Sequence, residues 1–133
     1  MIATPARQPH TIRLVLPIRT VSEKNTHEFW AKKAKRVKGQ RAFVTLAIKS
    51  ATGGSAHGYL DWFPNGVTVT LTRIAPRALD DDNTRQATSA CRDGIADAFG
   101  THDRDPRIDW AYAQRRGGVG QYAVEILIES RSA

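Results

Sequence analysis

Four stretches of the chain predict β-strands, most clearly where apolar and polar residues alternate and the apolar side chains share one face. They span residues 11–18, 67–74, 109–114 and 121–129. The last two stretches are joined by a glycine-rich sequence, residues 115–120, which favours a C-terminal hairpin. The segment 52–66 holds several glycines and an Asn-Gly pair, and it is predicted to be a loop.

Two further stretches have the spacing of helices. Apolar residues recur near every third or fourth position from 24 to 50, which predicts one long helix with Gly39 as its weakest point. In the alternative interpretation the helix ends at Gly39 and residues 42–48 form a strand, because short apolar runs fit either structure. A second helix is predicted to begin at Asp82 or Asn83 and to end at Gly100.

The predicted order is therefore β-α-β-α-β-β. This order is typical of an α+β fold, with a mixed sheet of about four strands and two helices on one face. A length of 133 residues suits one domain, so residues 1–133 are predicted to form a single domain whose residues 1–10 are a loose leader.

Composition narrows the class of protein. No apolar run approaches the roughly 20 residues that span a bilayer, and residues 1–11 lack the apolar region of a secretory signal. Cys91 is the only cysteine, which excludes an intramolecular disulfide and fits a cytoplasmic setting. The net charge of +7 indicates either a nucleic-acid partner or ordinary surface charge.

The distribution of charge favours the nucleic acid. Residues 1–49 contain eleven basic residues and two acidic ones, whereas residues 80–109 contain eight of the thirteen acids, all aspartates. A basic surface binds phosphates and clustered carboxylates bind cations, as a metal-dependent enzyme acting on a polyanion requires. The DNA-binding candidates on the first helix are Lys32, Lys33, Lys35 and Arg36.

The run Asp80-Asp81-Asp82-Asn83 lies where a strand ends and a helix begins. Adjacent carboxylates repel one another, and either a helix N-terminus or a divalent cation would offset this repulsion. The alternative is a helix cap with surplus surface charge. Asp93 lies about 16 Å further along a continuous helix, too far to share an ion with Asp82, so it is expected to hold an arginine or shape the site.

A third carboxylate is expected from the loop after the second helix. Asp103 or Asp105 would join Asp80 and Asp82 there. Oxygen ligands without thiolates suit Mg²⁺, with Mn²⁺ as an alternative.

These motifs resemble the RusA family of phage and prophage Holliday-junction resolvases. The resemblance covers roughly residues 67–128 and comprises the Asp-x-Asp-Asn pattern at 80–83, the helix carrying 92–100 and the loop 103–108. It implies a small dimeric endonuclease that needs Mg²⁺ and nicks four-way DNA junctions, in recombination and repair within a bacterial host cell. By motif, the catalytic carboxylates fall on Asp80, Asp82 and Asp103, with Asp105 as the alternative and Asn83 in support.

One departure from the family pattern concerns a lysine. The family often places it one turn before the helix aspartate, where this chain has Ser89, or Gln86 by a count from Asn83. Arg85 or Arg92 would then supply the cation. The alternative function is a basic DNA-binding protein with weak or no catalysis.

Overall fold

The structure is a computed structural model that describes residues 10–20, 30–54 and 56–131, without the side chains of Asp81 and Asp82. The described elements are β1 (Thr11–Leu16), α1 (Trp30–Ala51), a 3₁₀ turn (Tyr59–Trp62), β2 (Val67–Ala75), α2 (Asp81–Ala87), α3 (Ser89–Phe99), β3 (Ile108–Arg116) and β4 (Ala123–Ser130). They confirm an α+β fold with a four-stranded mixed sheet. Residues 1–9 of the predicted leader and residues 24–29 of the predicted first helix lie outside the described part.

Helix α1 is continuous through Gly39, so the alternative strand over 42–48 is wrong. Val44 and Ile48 are completely buried, and their packing offsets the roughly 1 kcal/mol that an exposed helical glycine costs. Helix α1 packs against α3 at Gly94, where an added Cβ would lie 2.6 Å from the carbonyl oxygen of Arg41. A glycine at position 94 therefore permits the close approach of the two helices.

The order of strands in the sheet is β1-β4-β2-β3, and the predicted C-terminal hairpin is wrong. Strand β3 pairs in parallel with β2, and β4 lies between β1 and β2, antiparallel to both. The glycine-rich segment 117–121 therefore carries the chain past β2 instead of forming a tight turn. Strand β4 is central, and its residues Ala123–Ile126 are all buried, whereas β3 is an edge strand.

The predicted second helix is divided in two at Thr88. This residue has φ −102° and ψ 6°, and its side chain is completely buried. The Thr88 hydroxyl donates to the carbonyl oxygen of Thr84 at 2.8 Å, a local bond that competes with regular helix geometry. The prediction of one continuous helix is therefore wrong.

One hydrophobic core joins α1 and α3 to a single face of the sheet. On that face β2 presents Val67, Val69 and Leu71 and then an arginine, Arg73, near its carboxyl end. Cys91 is buried in this core, as its place on the apolar stripe predicts, and burial raises the pKa of its thiol to about 12. None of the described helices is both long and apolar enough to cross a membrane.

Candidate functional site

Asp80 forms the N-cap of α2. Its Oδ1 accepts a hydrogen bond from the backbone N–H of Asn83 at 3.0 Å, so the acidic run does cap a helix, but at Asp80 and not at the predicted Asp82 or Asn83. The side-chain oxygen of Asn83 is buried and has no partner among the described residues. An unpaired amide oxygen beside an exposed carboxylate is a set of donors that hard cations prefer.

The segment before Asp80 is fixed to the edge strand by Gln114. The Gln114 side chain accepts from the N–H of Leu79 at 2.8 Å and donates to the carbonyl oxygen of the same residue. This pair of bonds replaces the backbone partner that an irregular segment lacks. Gln114 therefore positions the start of α2 against the end of β3.

Tyr112 of β3 joins the two short helices. The guanidinium of Arg85 in α2 lies over the Tyr112 ring, 5.4 Å from its centroid. Arg92 of α3 donates to the Tyr112 hydroxyl at 2.7 Å. A cleft of about 430 Å³ lies along this strand and is lined by Thr84, Arg85, Trp110, Ala111, Tyr112, Ala113 and Gln114. Both predicted substitutes for the family lysine therefore contact one tyrosine of the cleft wall.

Asp103 contacts Trp110, which lines this cleft. Its carbonyl oxygen accepts from the indole N–H of Trp110 at 2.8 Å, and its carboxylate lies 3.2 Å from Nε of Arg92. The Arg92 Nε makes no aligned hydrogen bond within the described residues, so this contact is an ion pair without a directed bond. The carboxylate of Asp103 is one-third exposed.

Asp105 has a different environment. Its side chain is 8% exposed, and its oxygens accept from Nη2 of Arg107 at 2.8 Å and from the Thr101 hydroxyl at 2.7 Å. The hydrogen bond from the Arg107 side chain holds the pKa of Asp105 well below its usual range. The Asp105 oxygens are occupied by these bonds, which stabilise the loop. Asp103 is therefore favoured as the third carboxylate of the site.

Asp93 faces α1 and lies 3.9 Å from Nη1 of Arg41, which agrees with the expectation that it holds an arginine. Arg41 makes its shorter contacts to Asp97, including a bond of 2.8 Å. Partial burial raises the pKa of Asp93, whereas Arg41 opposes that rise. Asp93 therefore belongs to the contact between α1 and α3.

The side chain of Asp82 is outside the described part, so the predicted grouping of Asp80, Asp82 and Asp103 stays a prediction. Among the side chains that are described, no three of His, Cys, Asp or Glu are grouped closely enough to hold a metal ion. The exposed carboxylate of Asp80 and the unpaired oxygen of Asn83 fit a hard cation, since both are oxygen donors at one helix start.

The predicted DNA-binding residues of α1 lie in its first two turns. Lys32 and Lys35 are exposed, whereas Lys33 and Arg36 are half-buried. The positive surface of α1 and the cleft along β3 are thus formed by different elements.

Sequence reasoning missed Tyr112 and Gln114, which line the cleft together with Trp110. These three residues alternate on the face of β3 that borders the cleft, and the alternation is visible in the sequence. Their role is not visible, because it follows from the parallel pairing of β3 with β2. Sequence reasoning also missed Arg73. A charged residue in the inward-facing series of a strand is unusual, and it could have pointed to a functional role.

No protein-family model matches the chain, and a comparison with curated proteins finds no significant match.

Proposed function

We propose that this protein is a Mg²⁺-dependent structure-specific endodeoxyribonuclease that nicks four-way DNA junctions. The proposal is supported chiefly by one arrangement: helix α2, which Asp80 caps, lines the cleft along β3, and the Asp103 loop is bonded to Trp110, which lines the same cleft. Arginines of α2 and α3 meet at Tyr112 in that cleft. Carboxylates and guanidinium groups beside one open cleft suit a reaction at a phosphodiester.

In this proposal Asp80, Asp82 and Asp103 hold the cation, with Asn83 in support. Mg²⁺ bound there would activate water and neutralise charge on the phosphate oxygens. Gln114 keeps the start of α2 in place through Leu79, so that the capping aspartate faces a fixed partner strand. Arg85 provides a positive charge near the cleft and is the candidate for contact with the leaving oxygen.

The partner is branched DNA. A net charge of +7 favours phosphate binding, and the exposed Lys32 and Lys35 extend the positive surface along α1. Two symmetric nicks across a four-way junction require two active sites, so we propose a homodimer with two-fold symmetry. Full activity of a species whose mass by light scattering is near 14.7 kDa would contradict the dimer.

A second candidate function is DNA binding without catalysis. Two observations favour it: Gln86 occupies a position of the family lysine, and Arg92 lies against Asp103. A guanidinium 3.2 Å from that carboxylate neutralises charge that a cation would otherwise neutralise. Both positions that test the missing lysine stay open: Ser89 begins α3, the helix of Asp93, and Gln86 lies on α2.

The deciding experiment measures nicking of a synthetic four-way junction with Mg²⁺ and with a chelator. The parent is expected to nick only with Mg²⁺, and Asp82→Asn is expected to bind the junction but not nick it. Undiminished nicking by Asp82→Asn would exclude the proposed site. Metal-independent binding without any nicking by the parent would establish the second candidate.

A further inference from the structure

Arg73 is the least expected residue of the core-facing side of β2. It follows Val67, Val69 and Leu71 in the inward series, and it is only 7% exposed. Its Nε donates to the Thr20 hydroxyl at 2.9 Å, and its Nη1 donates to the carbonyl oxygen of Arg77 at 2.6 Å. These contacts fix the guanidinium at the carboxyl end of the strand.

No carboxylate in the described part of the chain lies within 4 Å of the Arg73 guanidinium; its partners are neutral oxygens. Burial lowers the pKa of Arg73, and the phenol of Tyr122 opposes that effect. Charged groups this deeply buried are usually paired with an opposite charge, because removing them from water is costly. The positive charge of Arg73 is therefore left for a partner from outside these residues.

Two clefts adjoin Arg73, and further arginines line both of them. One, of about 290 Å³, lies against Arg115 and Arg116, and the other, of about 340 Å³, lies against Arg19. Arg77 lines both clefts. Arg115 is set apart, because it alternates with Gln114 along β3 and its guanidinium lies 3.8 Å from Glu125, on the other face of the sheet from Arg73. We call the other four residues the arginine cluster: Arg19, Arg73, Arg77 and Arg116.

Few contacts within the described residues neutralise the arginine cluster. Arg19 lies over the Tyr122 ring, 4.2 Å from its centroid, and none of the four arginines has a carboxylate within 4 Å among the described residues. Four guanidinium groups without a paired carboxylate leave a strong positive field at the end of the sheet. Planar guanidinium groups with several donors match the oxygens of a phosphate.

We propose that the arginine cluster binds a backbone phosphate of the DNA strand, with the buried Arg73 at its centre. This inference rests on the proposed function for the identity of the ligand. The cluster is continuous with the candidate site, because Arg77 is three residues before Asp80. Gln114 connects the two, since its side chain binds Leu79 and lies 3.5 Å from Nη1 of Arg73. A phosphate held here would set the position of the strand relative to the carboxylates.

The test measures junction affinity without metal, over a series of salt concentrations, for Arg77→Gln and Arg116→Gln. Each change removes one exposed charge of the cluster and leaves the core intact. We expect each variant to bind about tenfold more weakly and to lower the slope of log affinity against log salt by about 0.9, the value for one phosphate contact.

Lys49→Gln is the matched control. Lys49 is exposed in the last turn of α1, which leads into the loop before the start of β2. The arginine cluster lies at the other end of β2, a strand about 26 Å long. The control removes the same charge and is expected to keep the parent's affinity and salt slope.

Arg73→Lys tests the centre of the cluster. Lysine keeps the charge but cannot hold Thr20, the Arg77 carbonyl and a phosphate together. We expect a folded protein, by circular dichroism, with affinity reduced at least as much as in Arg77→Gln. If this variant does not fold, Arg77→Gln and Arg116→Gln alone decide whether the arginine cluster binds phosphate.

Parental affinity and salt slope in both Arg77→Gln and Arg116→Gln would overturn the proposal. Thermal stabilisation by millimolar inorganic phosphate that Arg77→Gln abolishes, with junction affinity unchanged, would instead assign the cluster to a small phosphate ligand and would also overturn it. A parent that binds DNA through the cluster but never nicks a junction would refute the proposed nuclease activity and support the cluster.

Discussion

Asp103 and Asp105 lie two residues apart in one loop, and their surroundings differ. Asp105 is buried and accepts directed hydrogen bonds from Arg107 and Thr101, whereas Asp103 is one-third exposed and has an ion pair without an aligned bond. The Asp105 carboxylate stabilises the loop through these bonds, whereas the Asp103 carboxylate accepts no aligned hydrogen bond from its arginine partner. The environment of an aspartate, rather than its place in an acidic stretch, separates a structural role from a candidate catalytic one.

The same contrast extends along the acidic stretch. Asp97 and Asp109 are paired with Arg41 and Arg131, and both pairs connect distant parts of the chain. Asp80 instead caps the helix that follows it and has no arginine within 4 Å among the described residues. The predictions below would break or sharpen this division between aspartates that accept aligned bonds from an arginine and aspartates that do not.

The largest effect is expected for Asp103→Asn. If Asp103 holds the cation, the loss of its charge should reduce Mg²⁺-dependent nicking of a four-way junction by about 100-fold or more, equivalent to about 2.7 kcal/mol. The control is Asp109→Asn, which also removes an aspartate paired with an arginine but at an exposed position on β3. Equal single-turnover nicking rates in the two variants would remove Asp103 from the site.

A smaller effect, on stability, is expected for Asp105→Asn. Replacing a buried carboxylate that accepts from Arg107 and Thr101 should lower the free energy of unfolding by about 2 kcal/mol, measured by urea denaturation. Asp61→Asn is the control, because Asp61 binds the same Arg107 but is 76% exposed, and it should cost less than about 0.5 kcal/mol. A stability loss in Asp61→Asn as large as that in Asp105→Asn would contradict the buried role.

The difference between the parent and Asp105→Asn should depend on pH. The pKa of Asp105 is lowered in the folded state, so its stabilising contribution is present above its unfolded pKa of about 3.9 and is lost as the pH falls through the folded value. Urea denaturation should therefore show a constant difference from about pH 7 to about pH 5 that shrinks below about pH 4. A difference that grows in acid would show that the Asp105 carboxylate is not held by Arg107.

The smallest effect is expected for Asp97→Asn. The pair of Asp97 with Arg41 is substantially exposed, so its loss should lower the free energy of unfolding by about 0.5 kcal/mol at low salt and by less at high salt. Urea denaturation at both salt concentrations checks this. A loss of several kcal/mol would place Asp97 in the same class as Asp105.

Local patterns in the sequence were sufficient for much of the fold. Apolar alternation located the four strands, helical spacing located α1 and α3, and the acidic run marked a helix start to within two or three residues of the observed cap at Asp80. These features depend on residues that are neighbours in the chain. Alternation also places Arg73 in the inward series of β2, but sequence reasoning missed this signal, and the clefts beside Arg73 are visible only in the tertiary structure.

Only the tertiary structure decided which strands pair and which carboxylates are held. Alternation tells which face of a strand is buried but not which strand lies beside it, so the insertion of β4 between β1 and β2 was not visible in the sequence. The contacts of Asp97 with Arg41 and of Asp109 with Arg131 join residues 56 and 22 positions apart. Such contacts form because folding brings distant charges together, and no local pattern along the chain encodes them.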